Sequence, residues 1–122
     1  MMSYKVAVLG ASPKADRYSN KAVKMLLEYG HEVLPIHPNI DKIHDQACYK
    51  NLAAIDQPIH TLTLYVGEER SNKMLDEIVG LQPQRIIMNP GTENDFLKKE
   101  AEKQGIEVVK GCTLVMLQTK QF

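Results

Sequence analysis

Five apolar runs of strand length alternate with stretches of helical periodicity along this chain, and that alternation admits few folds. Residues 4–9, 31–36, 61–66, 85–88 and 106–109 are short, rich in Val, Ile, Leu and Thr, and mostly bounded by Gly, Pro or Asn, the pattern of buried strands. Between them, residues 20–29 carry Ala22, Val23, Leu26 and Leu27 on one helical face, and residues 69–79 carry Met74, Leu75, Ile78 and Val79 at the same spacing. Ser19 reads as the N-cap of the first helix and Gly30 as its stop. Thr92-Glu93-Asn94-Asp95 resembles a capping box opening a helix that Gly105 ends, and residues 113–118 form a final short helix. Residues 37–58 are less regular: Pro38, Asn39, Asp41 and Asp45 suggest turns, and residues 51–55 one helical turn. Strand–helix alternation of this kind predicts an α/β chain with a doubly wound, five-stranded parallel sheet and helices on both faces, a Rossmann-like three-layer sandwich. The expected strand order is 3-2-1-4-5. Pro35 places the second strand near an edge or at a strand end, because proline cannot donate to a ladder.

Size and charge narrow the function classes. The chain has 122 residues, one domain's worth, and residues 1–122 read as a single domain. Fifteen basic residues balance fifteen acidic ones, so no long-range field recruits nucleic acid or an anionic membrane, and an anion would have to be held by local geometry. No apolar run approaches the roughly 20 residues that cross a bilayer, and the first residues lack the apolar stretch of a signal peptide. The chain is therefore expected in the cytoplasm. Cys48 and Cys112 form no CxxC and no metal-type spacing, as expected of thiols in a reducing compartment. A homodimer is the default expectation for oligomeric state.

In open parallel sheets, ligands bind beyond the carboxyl ends of the strands, where the strand order reverses. Four loops follow predicted strands: residues 10–19, 37–42, 66–70 and 89–92. The first is the most informative. Gly10 turns the backbone sharply and lets it approach a ligand. Amides at the following helix start would hold phosphate oxygens, with charge from Lys14 and Arg17 and hydroxyls from Ser12 and Ser19. The same glycine would also serve a plain strand-to-helix turn. A standard NAD site is not expected. Ser12 and Ala15 occupy the second and third glycine positions of G-x-G-x-x-G, and His37 stands where an acidic ribose clamp would sit.

Gly10-Ala11-Ser12-Pro13, then Ser19, then Pro35-Ile36-His37-Pro38, then Cys48-Tyr49 with Leu52 resemble the CoA-binding domain family. That family has the fold of the N-terminal domain of the succinyl-CoA synthetase α subunit. The resemblance extends from Tyr4 to about Met116, and Gly91 and Cys112 also fall at positions resembling the family's pattern. It implies a CoA ligand, free or acylated. Gly10, Ala11, Ser12 and Ser19 would form the phosphate turn, Pro38 and Lys42 the loop after the second strand, and Val66 the adenine side. His37 replaces the family's common asparagine, and Asn89-Pro90-Gly91 departs from its common glutamine- or glutamate-containing loop. The ligases use further domains for nucleotide binding and phosphohistidine chemistry, so the resemblance implies a free-standing binding module, a sensor or carrier, instead of a complete ligase.

The catalytic inventory is thin. His31, His37, His44 and His60 form no i,i+4 zinc pair, and the chain has no G-x-S-x-G elbow or Walker A motif. Cys112 follows the fifth strand near a helix start and is more simply a small packing residue than a nucleophile. Binding without catalysis is the expectation. The alternatives are a small NAD(P)- or nucleotide-binding enzyme or regulator using the same crevice, and an interaction protein that kept the fold. Gly10→Val is expected to abolish ligand binding and leave the fold near intact.

Overall fold

The computed structural model describes residues 3–122. Its main sheet is built from β1 (Lys5–Leu9), β2 (Glu32–Ile36), β5 (Thr61–Leu64), β6 (Arg85–Met88) and β7 (Glu107–Lys110), all parallel. A short antiparallel hairpin, β3 (Lys42–Ile43) and β4 (Gln46–Ala47), follows β2. The helices are α1 (Tyr18–Glu28), α2 (Glu68–Lys73), α3 (Leu75–Leu81), α4 (Asp95–Lys103) and α5 (Thr113–Gln118), with a 3₁₀ turn at Leu52–Ala54.

The two-residue period of β1 divides the core into its layers. Val6 and Val8 pack with Val23 and Leu26 of α1 and Leu117 of α5. Ala7 and Leu9 face the other layer, with Leu52, Ile78 of α3, and Leu97 and Ala101 of α4. The α/β class, the parallel sheet and the helices on both faces are as expected.

The strand order is β2-β1-β5-β6-β7. Counted over the five sheet strands it is 2-1-3-4-5, where 3-2-1-4-5 was expected: the third strand lies on the far side of β1 instead of beyond β2. The reason is at Pro35. β2 is an edge strand, its proline leaves no N–H at that point, and its outer side is taken by the returning chain. Tyr49 donates its N–H to the Pro35 carbonyl at 2.9 Å, and His37 donates to the Tyr49 carbonyl at 2.9 Å. The order now reverses between β1 and β5, so the switch-point crevice lies between the loops after those two strands.

Four local expectations are corrected. Ser19 is not an N-cap: α1 starts at Tyr18 with Arg17 at the cap position, and Ser19 is buried in the first turn. The 69–79 helix is two helices that meet at Met74. The capping box does not form. Asn94 caps α4 by accepting the Leu97 N–H at 3.0 Å, and the Thr92 hydroxyl instead donates to the Asn89 carbonyl at 2.8 Å. The hairpin β3–β4 was expected only as turns.

At the amino end of the sheet, Tyr4 stacks on His60 with ring centroids 3.8 Å apart and on His31 at 5.6 Å. The Arg85 guanidinium lies 4.5 Å from the Phe122 ring centroid. His31 Nδ1 accepts the Tyr4 N–H at 3.1 Å, which requires an unprotonated Nδ1. His60 Nδ1 is 2.7 Å from the Thr61 hydroxyl, which also accepts from Arg85 Nε at 3.0 Å. Burial first, then the Arg85 charge, lowers both imidazoles below their ordinary value of 6.5; Glu107 partly opposes this at His60. Folding therefore favours the neutral forms, and this stability is present above pH 6.5 and lost as pH falls through the depressed values. Denaturant midpoints should decline from pH 7 to about pH 5, and a His31→Gln/His60→Gln variant should flatten the decline. An unchanged pH profile in that variant would refute the assignment.

Candidate functional site

The site grows from the end of β1. Gly10 has φ +89°, and a Cβ there would lie 2.8 Å from the Tyr65 carbonyl oxygen and 2.9 Å from Val66 Cγ1. The loops after β1 and β5 thus approach so closely that only glycine fits between them. The next residues turn over this contact. Ala11 is buried beneath the turn, and the Ser12 hydroxyl accepts the Lys14 N–H at 3.1 Å. The Asn20 side chain of α1 donates to the Ser12 carbonyl at 2.9 Å. The turn is therefore held from its own side chain and from the helix it leads into.

A cleft of about 390 Å³ opens there. Five of the residues expected at the site line it: Gly10, Ser12, Lys14, Arg17 and Ser19. Three residues not assigned from sequence join them: Tyr18, Tyr65 and Arg70. Tyr18 is 69% exposed and presents an aromatic face at the start of α1. Arg70 comes from the first turn of α2, three residues after Gly67. Three cations thus face one cleft with no acidic residue in its lining. The start of α1 has no side-chain cap and no acid in its first turn, so its amides and dipole remain available to an anion.

A second cavity of about 270 Å³ shares Tyr18 and Tyr65 with the first and extends to Asn89, Pro90, Cys112 and Leu114. Beneath its mostly apolar lining, Asn89 anchors a tightly bonded polar network. Asn89 donates to the Thr63 hydroxyl at 2.7 Å and to the Leu64 carbonyl at 2.8 Å, and accepts the Thr113 N–H at 2.9 Å. The Thr63 and Thr113 hydroxyls bond each other at 2.8 Å. The buried Tyr65 hydroxyl lies beside this pair without a well-formed bond of its own, and burial pushes its pKa up to about 12. Tyr65 is a neutral wall, not a base. Cys112 stands at the N-cap position of α5 at the end of this cavity. Cys48 lies elsewhere, and burial followed by Asp41 raises its thiol pKa, the opposite of a reactive thiolate.

The remaining expected site residues lie outside both cavities. His37 uses Nδ1 to accept the N–H groups of Asn39 at 3.0 Å and Ile40 at 3.1 Å, capping the turn after β2. Pro38 continues that turn, and Lys42 is exposed on the hairpin. The Val66 side chain is buried in the core against the Gly10 turn, so it offers a ligand no side-chain contact. Gly91 has φ +90° and donates its N–H to Glu93 Oε1 at 3.0 Å.

Residues 4–118 match the family model described as CoA binding domain. The chain belongs to the CoA-binding domain family. Its fold matches over its whole length the crystal structure of an uncharacterized protein, with a TM-score of 0.93 and 33% identity over 100% of both chains. It is 24% identical over 107 residues to the uncharacterized protein YneT of Bacillus subtilis, covering 88% of this chain and 79% of that one. The fold also recurs in acetyl-coenzyme A synthetase 1 of Ca. Korarchaeum cryptofilum, with a TM-score of 0.74 and 21% identity over 88% of this chain and 26% of that one. In this member of the CoA-binding domain family, the glycine turn, the open start of α1 and the three cations occupy the switch point. Among the described residues no helix is long and apolar enough to cross a membrane.

Proposed function

We propose that this chain binds CoA or an acyl-CoA in the crevice between the β1 and β5 loops, as a sensor or carrier module. The observation that carries the reading is the acid-free cleft at Gly10, in which Lys14, Arg17 and Arg70 surround a glycine turn and an uncapped helix start. That chemistry suits a phosphate-rich ligand. The phosphates would rest over residues 10–12 and the start of α1. The nucleotide end would lie toward His37, Pro38 and Lys42, with the backbone at Val66 on the adenine side. The pantetheine arm would pass Tyr18 and Tyr65 toward Asn89, Pro90 and Cys112, where the cavity is mostly apolar. NAD fits less well, because the end of β2 offers the His37 imidazole, already used to cap a turn, in place of a carboxylate for the ribose hydroxyls.

Thermal unfolding with added ligand tests the proposal. CoA at a hundredfold excess over Kd adds about 2.7 kcal/mol by mass action, a rise in Tm on the order of 10 °C for a chain of this size. NAD(P) should give little or none. No rise at millimolar CoA would remove the proposal, and a larger rise with NAD(P) would install the nucleotide-enzyme alternative in its place.

A further inference from the structure

The hairpin β3–β4 turns on His44 and Asp45, which have φ of 48° and 62°. Two consecutive non-glycine residues in the left-handed region are costly, and two-residue hairpins normally place Asn-Gly there. The side chain of His44 has a specific destination. Its Nε2 lies 2.8 Å from Asn20 Oδ1. Asn20 is 6% exposed, and its amide nitrogen donates to the Ser12 carbonyl at 2.9 Å. Because that nitrogen donates to Ser12, the Asn20 oxygen accepts and His44 Nε2 donates. An unbroken chain of hydrogen bonds thus runs from the hairpin through α1 to the turn at Gly10. The hairpin has a firm base: Ile43 is 3% exposed in the core beside Val23 and Leu26, and Cys48 N–H donates to the Asp41 carbonyl at 2.8 Å.

We propose that His44 is a positioning residue for phosphate binding, acting through Asn20 to fix the peptide that follows Ser12 and so the amide-bearing face of the Gly10 turn. Neither His44 nor Asn20 lines the cleft, so neither would touch the ligand. The proposal rests on the reading of that turn as the seat of the CoA phosphates.

A double-mutant cycle with CoA as the titrant tests it, using the full chain and following unliganded stability in parallel. His44→Ala should weaken CoA binding about five- to tenfold, the effect of losing one part-buried hydrogen bond. His44→Gln, which can place an amide N–H near the position of Nε2, should restore affinity to within about twofold. Asn20→Ala should weaken binding at least as much as His44→Ala, and His44→Ala added to Asn20→Ala should change little, because His44 acts only through Asn20. A purely structural role would lower unliganded stability and leave the affinity of the folded chain unchanged. Wild-type affinity in His44→Ala, or multiplied losses in the double variant, overturns the inference while the CoA reading stands. A wild-type chain that binds no CoA overturns both.

Discussion

Gly10→Ala should destabilise the chain by roughly 2–5 kcal/mol, even with no ligand present. The first part of that cost is backbone strain at φ +89°, about 1–2 kcal/mol for an L residue. The second is overpacking, typically about 1–3 kcal/mol, because the new Cβ would sit 2.8 Å from the Tyr65 carbonyl oxygen. That oxygen cannot retreat cheaply: the Tyr65 N–H donates to the Leu9 carbonyl at 2.8 Å, closing the β1–β5 ladder just beneath. Gly10→Val should be worse, since its two γ-methyl groups would add bulk where a Cβ alone already meets Tyr65 and Val66. The expectation that valine would spare the fold is therefore corrected, and a loss of CoA binding in that variant would not by itself locate the site. Chemical denaturation reads the effect directly. An alanine variant within about 0.5 kcal/mol of the parent would contradict the packing described for this turn.

Asn89→Ala should cost more, roughly 3–5 kcal/mol. Asn89 is 2% exposed and ties three elements together through Thr63 and Leu64 of β5, its own position after β6, and the Thr113 N–H at the start of α5. Truncation leaves the Leu64 carbonyl and the Thr113 N–H buried without partners, each costing about 1–3 kcal/mol, and adds a small cavity. The denaturant midpoint should fall sharply with the fold class retained by circular dichroism. A loss under about 1 kcal/mol would mean that water or a rotated threonine replaces the amide and that the network is not structural. The same variant should loosen the wall of the second cavity, so residual CoA binding would be weakened at the pantetheine end.

The sheet was legible because its strands, covered on both faces, are short continuous apolar runs, and the helices between them keep a period of 3.6. The order of its strands was not, since it depends on which edge remains open. Pro35 carried that information, and its edge position conflicts with an order that buries the second strand. The hairpin β3–β4 was hidden because His44 and Asp45 adopt left-handed backbone without the glycine that usually announces it. Thr92 looked like a cap by residue type, but Asn94 reached Leu97 first and left Thr92 to Asn89. At the site, the turn at Gly10 was legible as punctuation after a strand. Tyr65 and Arg70 were not, because they reach the cleft only when the third sheet strand lies beside β1. His37 shows the opposite limit: its position was read from sequence, but its use as a turn cap depends on the backbone that follows.

Native mass spectrometry of the intact chain with CoA and NAD in competition tests the central claim most directly. The account predicts one CoA per chain, retained against a tenfold excess of NAD and lost when Arg17 and Arg70 are both replaced by alanine. A chain that takes up no CoA at millimolar concentration, or that exchanges CoA for NAD, would contradict it.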